Sequence, residues 1–263
     1  MDLGLRGKTA IVAASSQGLG FAVAQELATE GASLVICSRN EASIYAAADS
    51  IRNETGSEIL ALSGDLSESA NIERIISSGI EHFGKIDILV TNTGGPPAGQ
   101  FENLSRAQWE EATANLLTSV LDLTRLILPG MKERRWGRIL NITSIASKQP
   151  VENLMLSNTL RAGITGFAKT LASEVAAFGV TVNNILPGYT RTERLGELIE
   201  FLAQKEELSA EEIRGRWEAE IPMRRLGEPR EFAALAAFLV SERASYITGS
   251  SIAVDGGWTR SLF

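Results

Sequence analysis

Apolar positions fall in short unbroken runs: TAIVAAS (9–15), SLVICSR (33–39), EILALSGD (58–65), IDILVTN (86–92), GRILNITS (137–144), VTVNNILPG (180–188) and SSIAVDGG (250–257). Continuous rather than alternating apolarity predicts strands covered on both faces. Between the runs lie amphipathic stretches of helical length, Phe21 to Glu30, Glu41 to Glu54, Glu68 to Phe83, Arg106 to Arg134 and Leu154 to Phe178. Strands spaced by helices require right-handed crossovers, so the pattern predicts an α/β fold, a doubly wound parallel sheet with helices on both faces. No Pro/Ser-rich linker or repeat divides the chain, and a single domain over 1–263 is expected. Residues 193–220 differ, being rich in Glu, Gln and Arg with few β-branched side chains. They read either as a solvated helical pair or as a helical lid over a pocket, and their place after Pro187 and Gly188 makes the lid the expectation.

Composition narrows the function classes. The 263 residues are 44% hydrophobic and 22% charged, ordinary for a globular chain with a sizeable core. The net charge of −7 opposes binding of a nucleic-acid polyanion, so none is expected. The opening MDLGLRGKTA has no apolar stretch before its first charges, and no run reaches about 18 apolar residues; no membrane association and a cytoplasmic location are expected. Cys37 is the only cysteine and sits inside an apolar run, which fits a core position and leaves no internal disulfide.

Candidate chemistry begins after the first run, where AASSQGLGFAVAQELATEG places Gly18 and Gly20 at the opening of an amphipathic helix. Glycines at a strand-to-helix turn let backbone approach a phosphate, and the helix start supplies unpaired amides. A tight turn alone also uses glycine for steric reasons; the strand before and the helix after supply the context of a dinucleotide site. The second run ends in Ser38 and Arg39 rather than in an acid, a pairing suited to a ribose 2′-phosphate, so NADP(H) is preferred and NAD(H) stays open.

These residues resemble the classical short-chain dehydrogenase/reductase family, and the similarity runs nearly end to end. AASSQGLG is similar to the family's TGxxxGxG, with Ala13 and Ala14 in place of its threonine and first glycine. The resemblance implies a Rossmann-type fold with a cofactor held by Ser15, Ser16, Gln17, Gly18, Leu19 and Gly20 around the turn. It likewise implies Asp65 and Leu66 beside the adenine, and Asn92 and Gly94 in TNTGG. Pro187, Gly188, Thr190 and Thr192 in LPGYTRT would lie against the nicotinamide. Asn115 matches the helix asparagine of the family's active site and Ser144 its catalytic serine. The ending IPMRRLGEPREFAALAAFLVSERASYITGSSIAVDGGW is close to the family's own, and the overall pattern resembles its 3-oxoacyl-(acyl carrier protein) reductase branch.

The resemblance breaks at SNTLRAG, residues 157–163, where the family carries YxxxKAA. Ser157 stands at the tyrosine position and Arg161 at the lysine position, and no tyrosine occurs between Tyr45 and Tyr189 to restore the motif by a shift. A serine hydroxyl is a much weaker acid than a phenol and is borne on a shorter side chain, so it does not replace the tyrosine. Arg161 keeps a cation for the nicotinamide ribose but as a planar fork. The catalytic candidates are therefore Ser144, Asn115, Ser157 and Arg161. Tyr189 reads as a packing residue, Lys148 and Glu152 as loop charges. His82 is the only histidine, which leaves no basis for a metal site or a histidine triad. Two readings stand: an NADP(H)-dependent oxidoreductase of a small carbonyl or alcohol substrate with a rebuilt site, and a non-catalytic NADP(H)-binding protein on the same fold. A lyase or isomerase is a weaker third. Apolar residues in excess of one stripe on 154–178 (Leu156, Leu160, Ala162, Gly163, Phe167, Leu171), together with the family habit of pairing this helix, predict a homotetramer or homodimer.

Overall fold

The computed structural model describes residues 2–262. Strands β1 (Thr9–Val12), β2 (Ser33–Ser38), β3 (Ile59–Ser63), β4 (Ile88–Thr91), β5 (Gly137–Ile142), β6 (Val180–Pro187) and β7 (Ser251–Val254) form one parallel sheet in the order β3-β2-β1-β4-β5-β6-β7. The reason for the unbroken apolar runs is visible along each strand. On β1, Ala10 and Val12 enter one core while Ile11 enters the other; on β2, Leu34 and Ile36 face one side and Val35 and Cys37 the opposite. The first core is closed by α1 (Gly18–Thr29), α2 (Glu41–Thr55) and α9 (Pro229–Leu239), the second by α3 (Ser69–Phe83), α5 (Ser119–Glu133) and α6 (Met155–Val175). The sheet is thus a Rossmann-type doubly wound sheet with helices on both faces. Cys37 is fully buried, and burial pushes its thiol up to about 11, so it stays an apolar filler at neutral pH.

Two helices depart from the sequence reading. The stretch expected as one helix from Arg106 to Arg134 is α4 (Arg106–Thr113), a π turn at Ala114–Thr118, then α5. The Ser119 hydroxyl donates to the Asn115 carbonyl at 2.6 Å across the widened turn. Such turns insert one extra residue and commonly mark functional positions. Helix α9, which carries Phe232 and Ala236 into the first core, went unnamed as a helix in the sequence reading; its start is set by the Glu228/Glu231 capping box and by Pro229 at the first helical position.

A row of polar side chains crosses the sheet from β4 to β7. Thr91 pairs in register with Asn141, Asn141 with Asn184, and Asn184 with Ser251. The Thr91 hydroxyl donates to Asn141 Oδ1 at 2.8 Å, Asn141 Nδ2 donates to Asn184 Oδ1 at 2.9 Å, and Asn184 Nδ2 donates to Ser251 Oγ at 3.0 Å. Thr91, Asn141 and Asn184 are no more than 1% exposed, so each amide needs this partner to offset its desolvation.

The predicted apolar excess on α6 is largely consumed inside the chain: Leu156, Leu160 and Leu171 are buried against its own cores. What α6 leaves outside is Thr159, Ala162, Gly163 and Gly166 in its first half and the polar Lys169, Thr170, Ser173 and Glu174 in its second. Residues 193–220 fold as α7 (Glu193–Glu206) and α8 (Ala210–Glu220), a pair with its own small core of Ile199, Ala203 and Ile213. Tyr189 ties this pair down, stacked on Trp217 at 5.0 Å and edge-on to Trp258 at 5.9 Å. Burial, with Glu220 adding, pushes the Tyr189 hydroxyl up from its ordinary value, which suits a packing residue.

Candidate active site

A cleft of about 580 Å³ opens at the C-terminal ends of β1, β2, β4, β5 and β6, across the point between β1 and β4 where the strand order reverses. Ligand crevices of open α/β sheets form at this place. Its near end is the glycine turn. Gly18 has φ +60, and a Cβ on Gly20 would lie 2.3 Å from the Ala14 carbonyl, so neither position accepts a side chain without rearrangement. Asn92 Nδ2 donates to that carbonyl at 3.1 Å and fixes the turn against the end of β4. Ala14, at the family's first glycine, holds φ +48, a conformation an alanine pays for with strain of order 1 kcal/mol. The first turn of α1 has no acidic residue and Gln17 makes no side-chain cap, so its amides stay free to meet an anion. Ser16, Gln17, Gly18 and Leu19 line the cleft here.

At the end of β2, Arg39 makes no hydrogen bond or ion pair among the described residues and lines the cleft with Ser38, Asn40 and Ser43. Asp65 and Leu66 form the neighbouring wall. The Ser67 amide, donating to Asp65 Oδ1 at 2.9 Å, holds the Asp65 carboxyl below its usual range, helped by the Ser67 hydroxyl and the Arg39 charge. The donor set suits a dinucleotide: an uncapped helix start over glycines for a pyrophosphate, and a free guanidinium among hydroxyls for a further phosphate.

The far end is built around Arg161. The residue is only 8% exposed: Nε donates to Ser157 Oγ at 3.2 Å, and Nη1 donates to the Ile142 and Thr143 carbonyls at 3.2 and 2.8 Å. No bond engages Nη2, yet it is not among the buried unpaired atoms, and Arg161 lines the cleft; Nη2 is therefore the donor turned to the ligand space. Burial, with Arg194 adding repulsion, lowers the guanidinium to about 10, still protonated at neutral pH. Asn115 is delivered to the lining by the π turn, beside Leu116. Ser144 caps a short turn by accepting from the Ala146 amide at 3.1 Å, which leaves its own O–H without an acceptor among the described residues. Asn158 makes two bonds with the Val151 backbone, so SNTLRAG is a fully tied segment rather than an eroded one.

Several expected contacts fall elsewhere. Ser15 is wholly buried, its hydroxyl donating to the Val12 carbonyl at 2.7 Å, and so belongs to the turn's underside rather than to the cleft. Thr190 is 6% exposed and donates to the Gly188 carbonyl, while Gly188 packs against Asp255, where a Cβ would lie 2.6 Å from that side chain. Ser157, 7% exposed, stands behind Arg161 as its acceptor. Gly94, Asn92, Pro187 and Thr192 do line the cleft, Thr192 also capping α7 by accepting from the Leu195 amide. Lys148 and Glu152 lie outside the lining, and His82 pairs with Glu58 at 3.0 Å on the surface. Lining residues not legible as such in the sequence include Gly95, Pro96, Pro97, Glu111, Glu193 and Arg194. Glu193 and Arg194 directly follow the recognised LPGYTRT segment, which was the available signal. Among the described residues no helix is long and apolar enough to cross a membrane.

Comparisons with known proteins agree with this geometry. A family profile described as Enoyl-(Acyl carrier protein) reductase matches residues 13–259. The D-beta-hydroxybutyrate dehydrogenase of Cupriavidus necator is 36% identical over 97% of this chain and 98% of its own. The 3-oxoacyl-(acyl-carrier-protein) reductase of Aquifex aeolicus is 34% identical over 98% of this chain and 99% of its own. Among solved structures, the L-sorbose reductase of Gluconobacter frateurii, complexed with NADPH and L-sorbose, superposes with a TM-score of 0.96 at 32% identity, with all of both chains covered. A glycine turn at the switch point, a cleft spanning both halves of the sheet and end-to-end similarity to such reductases place the chain in the short-chain dehydrogenase/reductase family of oxidoreductases.

Proposed function

We propose that the protein is an NADP(H)-dependent oxidoreductase of a small carbonyl or alcohol substrate, 3-oxoacyl compounds among the candidates, in which Ser157 and Arg161 stand in the places of the family's tyrosine and lysine. The observation that carries the reading is Arg161: a buried cation with one donor edge left open on the cleft that Asn115 also lines. When bound, NADPH supplies the hydride that converts a carbonyl carbon to an alcohol carbon. The chain's own part is to hold and polarise. The free Ser144 hydroxyl hydrogen and the Asn115 amide donate toward the carbonyl oxygen, and Arg161 Nη2 serves the nicotinamide ribose and adds positive potential where the oxyanion develops. Ser157 orients the guanidinium, which fills the space a phenol would take, and the proton that completes the alcohol comes from water in the open cleft. Helices α7 and α8 act as the lid of the single domain, closing from the Thr192 end. Assembly as a homodimer or homotetramer through the small-residue face of α6 belongs to the same reading.

Cofactor choice follows from Arg39. Its replacement by alanine is expected to weaken NADPH about tenfold to a hundredfold and leave NADH little changed, because one charge-assisted phosphate contact is lost. Fluorescence titration of both proteins with both cofactors checks this, and equal NADPH affinity would remove Arg39 from the site. The function itself is tested with NADPH deuterated at the transferred position and a panel of ketones, 3-oxoesters and ketoses. Deuterium is expected on the carbinol carbon of at least one product. Tight NADPH binding with no label transferred to any member of the panel would instead make the chain a binding protein.

A further inference from the structure

Arg194, the second residue of α7, lies in the cleft with its guanidinium against Gly95, where a Cβ would fall 2.3 to 2.7 Å from its atoms. Among the described residues it makes no hydrogen bond and no ion pair. Glu111 and Glu193 share the lining, but neither pairs with it. The carboxylate of Glu193 points instead to the glycine turn, 3.7 Å from where a Cβ on Gly18 would sit. Adjacent residues of one lid helix therefore address the two ends of the cleft, and Arg194 takes the end near Arg161, whose charge it opposes. Two guanidiniums at one end of a ligand cleft, with no carboxylate paired to either, leave their donors available to an anion. Leu198 and Phe201, 44% and 60% exposed, follow Arg194 at helical spacing on the same face of α7, while Ile199 and Ala203 turn to the lid's own core.

We infer that Arg194 is the substrate's anion anchor: the carbonyl substrate is an oxo acid whose carboxylate is held by Arg194 and whose chain runs along Leu198 and Phe201. This assignment rests on the reductase reading for the word substrate, but the anion site itself does not. A planar guanidinium matches a carboxylate through two parallel bonds, and a neutral ester of the same skeleton forfeits that pairing. The guanidinium lies against Gly95, after β4, whereas Arg39 lies after β2, which separates Arg194 from a ribose 2′-phosphate; the acid-to-ester ratio and the NADPH affinity separate the substrate from the pyrophosphate.

The test is calorimetric titration of 3-oxohexanoate and of methyl 3-oxohexanoate into the NADP⁺-loaded protein, where no turnover occurs, with NADPH affinity measured in parallel by fluorescence. Arg194→Gln is expected to weaken the acid about tenfold to a hundredfold and the ester by less than about threefold, with Arg194→Lys recovering part of the acid's affinity. Equal weakening of acid and ester, or none of either, would overturn the assignment. So would a tenfold loss of NADPH affinity with the acid-to-ester ratio unchanged, which would give Arg194 to a cofactor phosphate. If wild type transfers no hydride to any carbonyl while acid binding still depends on Arg194, the reductase reading fails and the anion site stands.

Discussion

Ser157→Tyr combined with Arg161→Lys is expected to raise the rate of ketone reduction by about 10²- to 10⁴-fold, the usual contribution of a positioned general acid. Asn115 reaches the lining on its π turn, and Ser144, just past β5 and outside the lining, keeps a free O–H. The two substitutions are needed together. Ser157 Oγ lies 3.2 Å from Arg161 Nε on the same face of α6, so a phenol ring built at 157 alone collides with the guanidinium. Lysine at 161 withdraws that planar group and opens the space. Single-turnover rates on one small ketone, with melting temperatures as a check on packing, decide the matter. A double variant that melts like wild type yet reduces no faster would show that proton delivery does not limit this site.

Arg161→Met is expected to separate binding from stability. NADPH affinity should fall about tenfold to a hundredfold with the loss of a charged donor facing the cleft. The fold should hold or gain, by about 0–2 kcal/mol. The guanidinium is buried with no carboxylate beside it, and burial pulls its pKa down from the ordinary guanidinium range to about 10. A cation whose pKa falls on folding is bound more tightly by the unfolded chain, so at neutral pH the charge costs the native state about 3 kcal/mol. The hydrogen bonds to Ile142, Thr143 and Ser157 offset part of that cost, and an apolar side chain of similar length removes it. The stability gap between the two proteins should therefore narrow as the pH climbs above about 10. Denaturant midpoints from pH 7 to 10.5, beside NADPH titrations, check both halves. A melting temperature several degrees lower with unchanged affinity would make Arg161 a structural tie.

Much of this architecture was legible because burial on two faces writes itself into a strand as an unbroken apolar run, as at Ile11 and Val35. The glycine turn was equally legible, since Gly18 and Gly20 serve backbone conformation and close approach, which composition records directly. Side-chain direction was not. Ser15 and Ser16 are neighbours in one turn, yet Ser15 turns down to Val12 and Ser16 lines the cleft. Nor does helical periodicity show the extra residue of the π turn at Ala114–Thr118, because one added residue preserves the amphipathic pattern on each side. Arg194 escaped for a different reason: a lone arginine in a charged helix acquires meaning only when its neighbours in space lack a carboxylate for it. Ser157 reads in the sequence as a departure from the family motif, but its role as the acceptor for Arg161 depends on the i,i+4 geometry that α6 imposes.

The side-chain row from Thr91 through Asn141 and Asn184 to Ser251 acts during folding as a proofreading mark. Parallel strands joined by long crossovers gain few local contacts, so neighbouring strands can dock one residue out of step before the helices close over them. A one-residue slip of β5 would bring Leu140 or Ile142 opposite both Thr91 and Asn184, leaving the Thr91 hydroxyl and the Asn184 amide facing an aliphatic side chain in a dry interior. Only the native alignment pairs every member of the row, which makes misdocked intermediates short-lived. That selection also sets the spacing of the ligand end, because Asn92 follows Thr91 directly and Ile142 and Thr143 follow Asn141.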